Sequence, residues 1–191
     1  MDKGKIGKIH EGKVKLEHYP TSWLSQAYEL KRTEELIYMD ILRDWDKHQI
    51  ERTTKHFTPS PITPNKVHYL VIGFAIENLL KCIFLNKHPE IIKDGKIKDN
   101  KFKTHNLLQI ATQTLKIEIN EDEKFMLEFS TKAILWYGRY PIPLKEENTI
   151  GFLEINKSKV HLAFHTLFNR LAALASIKMP HHSSLPSLPT L

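Results

Sequence analysis

The stretch VHYLVIGFAIENLLKCIFL, residues Val67 to Leu85, decides the fold. Apolar residues fill most of its positions, so it predicts a helix that is buried on all sides. Glu77 and Lys81 interrupt the run four residues apart, which places them on one face in the favourable order for an ion pair. The sequence therefore predicts a central helix with a buried acid–amine pair. The alternative is that both charged heads reach the rim of the core while their stems stay inside it.

The same run approaches the length of a membrane span, but its polar residues argue against insertion into a bilayer. The N-terminal residues lack the apolar core and cleavage site of a signal peptide. Cys82 is the single cysteine, which excludes an internal disulfide and a zinc site of several thiolates. We expect Cys82 to pack as a small apolar residue and the protein to be cytoplasmic, without membrane contact.

The 191 residues fit one domain with a real core, and the 41% of apolar residues are typical of a folded soluble protein. The formal net charge of +6 is concentrated in two lysine-rich segments, residues 1–15 and 87–103. Together these segments could attract the phosphates of a nucleic acid. Lysines that only keep loops solvated would give the same composition, so both interpretations stay open.

Apolar residues at helical spacing predict an all-α bundle of about five helices. We expect them at about 22–52, 64–86, a short stretch after Thr104, 120–138 and 157–178. Thr104 and Asn120 are the expected N-terminal caps, the latter with Glu123 three residues on, and Gly138 is an expected left-handed stop. The domain would span residues 20–178, between a flexible basic arm at 1–19 and a disordered tail, rich in proline, histidine and serine, at 179–191.

Three sequence marks follow one another in a fixed order along this bundle. They are AIENLLKCIFL at 75–85, KTHNLL at 103–108 and GRYP at 138–141. In this order and spacing the chain resembles the HEPN family, the higher eukaryotes and prokaryotes nucleotide-binding domains. The resemblance covers about residues 22–178.

The resemblance implies a helical domain that often dimerises. Such domains occur beside nucleotidyltransferases, in toxin–antitoxin pairs and in phage-defence systems. By position, the ligand-binding residues would be Glu77, Lys81, His105, Arg139 and Tyr140. We therefore expect a non-catalytic domain that binds a nucleotide, RNA or a protein partner such as a nucleotidyltransferase or an antitoxin, as a homodimer and without a cofactor.

Two of these residues also have plainer interpretations. A positive His105 would gain nothing at a helix start, where the helix dipole favours anions, so it would instead be a neutral cap or hold a loop in place. Arg139 on a stiff turn suits a phosphate or carboxylate, but it could equally cap the carbonyls of the preceding helix.

The alternative function is a metal-independent endoribonuclease. HEPN ribonucleases resemble one another in an arginine followed, after four to six residues, by a histidine, which supply a cation and a titrating group for RNA cleavage. No histidine follows Arg139 at that spacing. The matching pair is Arg43 and His48, near the end of the first predicted helix, and a solvated polar helix end is the plainer interpretation of it.

His161 and His165 are a second constellation, on the last predicted helix. Histidines four residues apart share a face and can chelate a metal, but the sequence offers no glutamate of a hydrolytic zinc motif and no obvious third ligand. A polar stripe at a dimer interface, or simple exposure, is therefore expected, with no metal site. His181 and His182 in the tail could recruit metal adventitiously.

Overall fold

A computed structural model of the chain describes residues 20–53, 65–93, 96–97, 99–139 and 157–176. Within these ranges the fold is all-α, as predicted. The helices are α1 (Pro20–Thr53), α2 (Asn65–Lys87), α3 (Asn100–Lys103), α4 (Leu107–Gln109), α5 (Glu121–Lys132) and α6 (Lys157–Ser176). The expected basic arm and the C-terminal tail lie outside the described residues, as does residue 64, the expected start of the second helix.

Helix α2 is the centre of the bundle, because α1, α5 and α6 all pack against it. Its residues Ile72, Ala75, Ile76, Leu79, Leu80 and Cys82 are completely shielded from solvent. Of the described helices it alone is long and apolar enough to cross a membrane, yet 72% of its apolar window is buried inside the fold. A core helix passes the same test of length and composition as a membrane span.

The long helix α1 and the last helix α6 each cover one side of α2. Helix α1 contributes Ala27 and Ile41 to the core, whereas Trp45, at the same predicted helical spacing, is 54% exposed. On α6, Leu174 continues the apolar spacing but is 37% exposed, whereas the four apolar residues before it at that spacing are buried; these are Val160, Phe164, Leu167 and Leu171.

The lysine-rich segment that follows α2 is more ordered than a solvated loop. A 3₁₀ turn at Pro89–Ile91 leads into strands β1 (Ile92–Lys93) and β2 (Lys96–Ile97), which pair antiparallel with Ile92 opposite Ile97. The two residues between the strands, 94 and 95, are outside the described ranges. Helix α3, which the sequence did not predict, follows; its N-cap is Asp99, whose side chain accepts a hydrogen bond from the Lys101 amide.

Two predicted helix ends are wrong. Thr104 ends α3 instead of capping the next helix; the cap of α4 is Asn106, whose side chain accepts a hydrogen bond from the Gln109 amide. Gly138 has φ −78° and ψ −13°, which is right-handed helical backbone. A Cβ on Gly138 would lie 2.6 Å from the Cβ of Leu70, so close contact with α2, and not a left-handed turn, requires the glycine here.

Helices α4 and α5 each end in a π-helical turn, Ile110–Thr114 and Ala133–Tyr137. The first closes with Lys116 in the left-handed region at φ 57°, while the Ile117 amide donates to the Ala111 carbonyl at 2.9 Å. This hydrogen bond joins residues six positions apart and satisfies a carbonyl at the helix end, much as the long hydrogen bond of a Schellman motif does. The helix can therefore end at this point without a glycine.

The predicted cap of α5 is confirmed. The Asn120 side chain accepts a hydrogen bond from the Glu123 amide, and the Glu123 side chain accepts one from the Asn120 amide, which together form a capping box. Arg170 of α6 reaches the same glutamate with two bonds of 2.8 Å, from Nε to Oε1 and from Nη2 to Oε2. A two-pronged arginine–carboxylate pair fixes both distance and orientation. Glu123 therefore fastens the start of α5 to α6.

Gly73 permits the closest approach between α2 and α5. A Cβ there would lie 2.7 Å from Cγ1 of Ile134 and 3.0 Å from the Ser130 carbonyl oxygen. An alanine normally stabilises a helix interior relative to glycine by about 0.5–1 kcal/mol. We predict that Gly73→Ala instead lowers the free energy of unfolding by about 1–3 kcal/mol, because it overpacks this contact. Urea denaturation checks this, and a Gly73→Ala protein as stable as the wild type would contradict it.

Candidate functional site

Glu77 and Lys81 form the predicted ion pair inside the fold. The Lys81 ammonium donates a hydrogen bond to Oε1 of Glu77, and their side chains are only 9% and 6% exposed, respectively. The alternative in which both heads reach the rim of the core does not hold. Breaking a buried pair of this kind by removing one partner costs about 3–5 kcal/mol, since it leaves an uncompensated charge.

Aromatic rings enclose the Lys81 ammonium. It lies 5.6 Å from the ring centroid of Trp23 and 5.2 Å from that of Phe102, distances at which a cation is attracted to the ring face. The two rings themselves meet edge to face at 5.2 Å. The positive charge of Lys81 therefore faces the Glu77 carboxylate and two aromatic rings.

His105 connects this buried pair to the surface. Its Nδ1 lies 2.9 Å from Oε1 of Glu77, while 44% of its side chain is exposed. It stands in the link between α3 and α4 and not inside a helix start, so its expected capping role is wrong and its loop-fixing role is confirmed. The second oxygen, Oε2 of Glu77, is buried without a hydrogen-bond partner among the described residues.

Arg139, at the end of the π-helical turn after α5, contacts the face of α2 that carries Glu77 and Lys81. Its side chain is exposed, and its guanidinium carbon lies 5.7 Å from the ring centroid of Phe74. Phe74, Glu77 and Lys81 follow at three- and four-residue steps, so they occupy one face of the helix. The structure thus brings Arg139, Glu77, Lys81 and His105 to one side of α2. Tyr140 is outside the described residues.

Of the candidate ribonuclease pair, the structure describes only the Arg43 side chain. Arg43 is 77% exposed and pairs with Asp40 one turn earlier on α1. His48 belongs to the same helix, but its side chain is outside the described part of the structure.

A second polar cluster lies on the other side of α2, around Glu34 of α1. The Glu34 side chain is 0% exposed, and three histidines contact its carboxylate. His68 Nε2 and His161 Nδ1 lie 2.7 and 2.9 Å from Oε1, and His165 Nε2 lies 3.0 Å from Oε2. Three helices therefore supply one carboxylate and three imidazoles to a single point.

Tyr38, one turn beyond Glu34, fixes the position of one histidine. Its ring stacks on the His161 ring with centroids 3.7 Å apart and planes 9° apart. The three histidines differ in access to solvent: the His68 side chain is 2% exposed, whereas His161 and His165 are 26% and 21% exposed. The expectation that His161 and His165 are simply exposed is therefore wrong, because both face the Glu34 carboxylate.

Burial by itself would raise the pKa of Glu34. Hydrogen bonds from His68 and His161, together with the charge of these rings, outweigh burial and hold the pKa below the ordinary value of 4.5. The carboxylate is therefore ionised inside the core. In contrast, burial raises the pKa of the Cys82 thiol to about 12, so this cysteine is an inert core residue, as expected.

Sequence reasoning did not identify the Glu34 cluster as a site. The signal was present, since Glu34 occupies a core position seven residues after Ala27 and seven before Ile41, among apolar residues at helical spacing. An acid at such a position needs a buried partner. Which partners it has depends on how the three helices pack, which the sequence pattern alone does not specify.

No protein-family model matches the chain, and comparisons with curated proteins and with solved structures find no match either. The assignment of a function therefore depends on the geometry above and on the sequence marks.

We predict that acid weakens the fold through Glu34. Because the pKa of this group is depressed in the folded state, its contribution to stability is complete above pH 4.5 and is lost as the pH falls through the folded-state pKa. If unfolding binds one extra proton, the free energy of unfolding falls by up to about 1.4 kcal/mol for each pH unit. Urea denaturation at several pH values, with a chelator present, should show a steeper loss below pH 4.5 for the wild type than for Glu34→Gln.

The matched control for this measurement is Glu121→Gln, because the Glu121 side chain is 91% exposed. It should reproduce the slope of the wild type. Equal slopes for the wild type and Glu34→Gln would contradict the assignment of the acid sensitivity to the Glu34 cluster.

Proposed function

We propose that the protein is a non-catalytic, HEPN-like helical domain that binds the phosphate groups of a nucleotide or an RNA. One observation carries the proposal: two exposed side chains that suit phosphate, His105 and Arg139, are held on the same side of the central helix. Glu77 anchors the first, and the Phe74 ring supports the second. A planar guanidinium held in this way can donate two parallel hydrogen bonds to a phosphate.

The charge around this pair supports the same proposal. Lys101 and Lys103, both exposed, lie four and two residues before His105 in the chain, and the net charge of the protein is +6. A positive surface raises the local concentration of phosphate-bearing ligands. Glu77 and Lys81 serve in this proposal as the buried support of the site and not as ligand contacts, because both side chains are buried and paired with each other.

The proposal includes a cytoplasmic homodimer, in a toxin–antitoxin or phage-defence setting or beside a nucleotidyltransferase. Exposed apolar residues on α1 support self-association, since Leu36 and Met39 are 64% and 65% exposed. Patches of exposed apolar surface commonly mark protein interfaces. The alternative proposal remains a metal-independent endoribonuclease that uses Arg43 and His48, whose activity would require a second chain to complete the site.

We predict that the purified protein binds a fluorescently labelled single-stranded RNA or a labelled ATP, measured by fluorescence anisotropy. Arg139→Gln should weaken binding about tenfold or more, because a hydrogen bond to a charged group contributes about 1.5–3 kcal/mol. His105→Gln should weaken it less. The matched control is Lys124→Gln, which removes one positive charge from an exposed position on α5 that pairs with Glu121.

Three results would contradict the binding proposal. They are no binding by the wild type, equal losses in Arg139→Gln and Lys124→Gln, or capture of a protein partner by a chain that binds neither ligand. The same RNA, analysed on a gel after incubation, tests the alternative: cleavage by the wild type that disappears in His48→Ala would establish the ribonuclease. Sedimentation equilibrium of these samples measures whether the protein is a dimer.

A further inference from the structure

The Glu34 cluster has the composition and spacing of a metal site. One ligand atom each from Glu34, His68 and His161 lies within 4.8 Å of the other two. In a tetrahedral zinc site, metal–ligand bonds of about 2.0–2.2 Å place neighbouring ligand atoms about 3.3 Å apart. The observed separations of 2.7 and 2.9 Å from Oε1 to the two imidazole nitrogens would need to open by only a few tenths of an ångström. The two nitrogens themselves lie within 4.8 Å of each other.

The charge of the cluster also favours a cation. Glu34 is an ionised carboxylate with no solvent contact, and its described polar contacts are histidines, with no lysine or arginine among them. A buried charge normally needs a charged partner or a metal ion. A divalent cation held by Glu34, His68 and His161 would neutralise the carboxylate, and it would use the lone pairs of the two imidazole nitrogens.

The surroundings of the histidines resemble those of metal ligands in two respects. The Tyr38 ring fixes the plane of His161 by stacking on it, and His165 contacts the second carboxylate oxygen of Glu34, which leaves Oε1 directed at the other two histidines. Residues that orient the ligands of a metal are a regular part of such sites. His161 and His165, one helical turn apart, are also the partly exposed members, so an ion has a path from solvent on the α6 side.

We infer that Glu34, His68 and His161 bind a divalent transition-metal ion of the Zn²⁺ class, and that His165 is a positioning residue for the Glu34 carboxylate. Two imidazoles and one carboxylate are a ligand set that zinc accepts, with a fourth position left for water or an external ligand. Oxygen-seeking Mg²⁺ and Ca²⁺ are disfavoured by the nitrogen ligands. The site is independent of the proposed phosphate site, because His68 and Glu77 are nine residues apart and therefore on opposite faces of α2.

The test uses the full chain without an affinity tag and with His181→Ser and His182→Ser, so that the tail histidines cannot contribute. Isothermal titration with Zn²⁺ and elemental analysis after dialysis should give one zinc ion per chain. His161→Asn should lower the affinity by at least about a hundredfold, and His165→Asn by about 10–100-fold, the loss that is usual for orienting residues. The matched control is His88→Asn, a partly exposed histidine that pairs with Glu90 and should change nothing.

A second variant keeps the test decisive if His161→Asn fails to fold. His161→Cys retains a zinc-binding side chain, and with Co²⁺ bound it should add the ultraviolet charge-transfer band of a cobalt–thiolate bond, which appears only when position 161 touches the metal. Three results would overturn the inference. They are no zinc bound by the parent protein, unchanged affinity in a folded His161→Asn, or bound cobalt without a thiolate band in His161→Cys. Affinity present in the natural chain but lost with the tail substitutions would equally overturn it.

Discussion

The burial of helix α2 on all sides is the constraint on which the rest of the structure depends. A helix without a solvent-facing side must satisfy each of its polar side chains from inside the protein, since an unpaired buried group is costly. His68 pairs with Glu34 of α1. Glu77 pairs with Lys81 of its own helix and with His105 of the link between α3 and α4. These two polar clusters beside α2 are therefore consequences of the same burial.

These clusters also decide which elements can approach α2. The Glu34 cluster draws α1 and α6 together on one face, because His161 and His165 extend from α6 to a carboxylate on α1. On the opposite face, Gly73 and Gly138 permit close contact between α2 and the helix formed by α5 and its π-helical turn. The hydrogen bonds of the Glu34 cluster on one side of α2 and the two glycines on the other side thus determine where α1, α5 and α6 pack.

The parts of the fold that sequence reasoning predicted are those set by neighbouring residues. The central helix, the buried Glu77–Lys81 pair and the capping box of Asn120 and Glu123 all follow from residues at most four positions apart. The Gly138 stop was wrong because the need for glycine there comes from Leu70, far away in the chain. The Glu34 cluster was missed for the same reason, since it joins residues from three helices.

Native-state hydrogen exchange tests most directly whether α2 organises the fold. If the account is correct, the amides of Ile72 to Leu85 are the slowest to exchange in the protein. Their opening free energies should then equal the global free energy of unfolding and fall with denaturant at the same slope. Exchange of these amides through local opening, faster than in the middle of α1 or α6, would contradict the account.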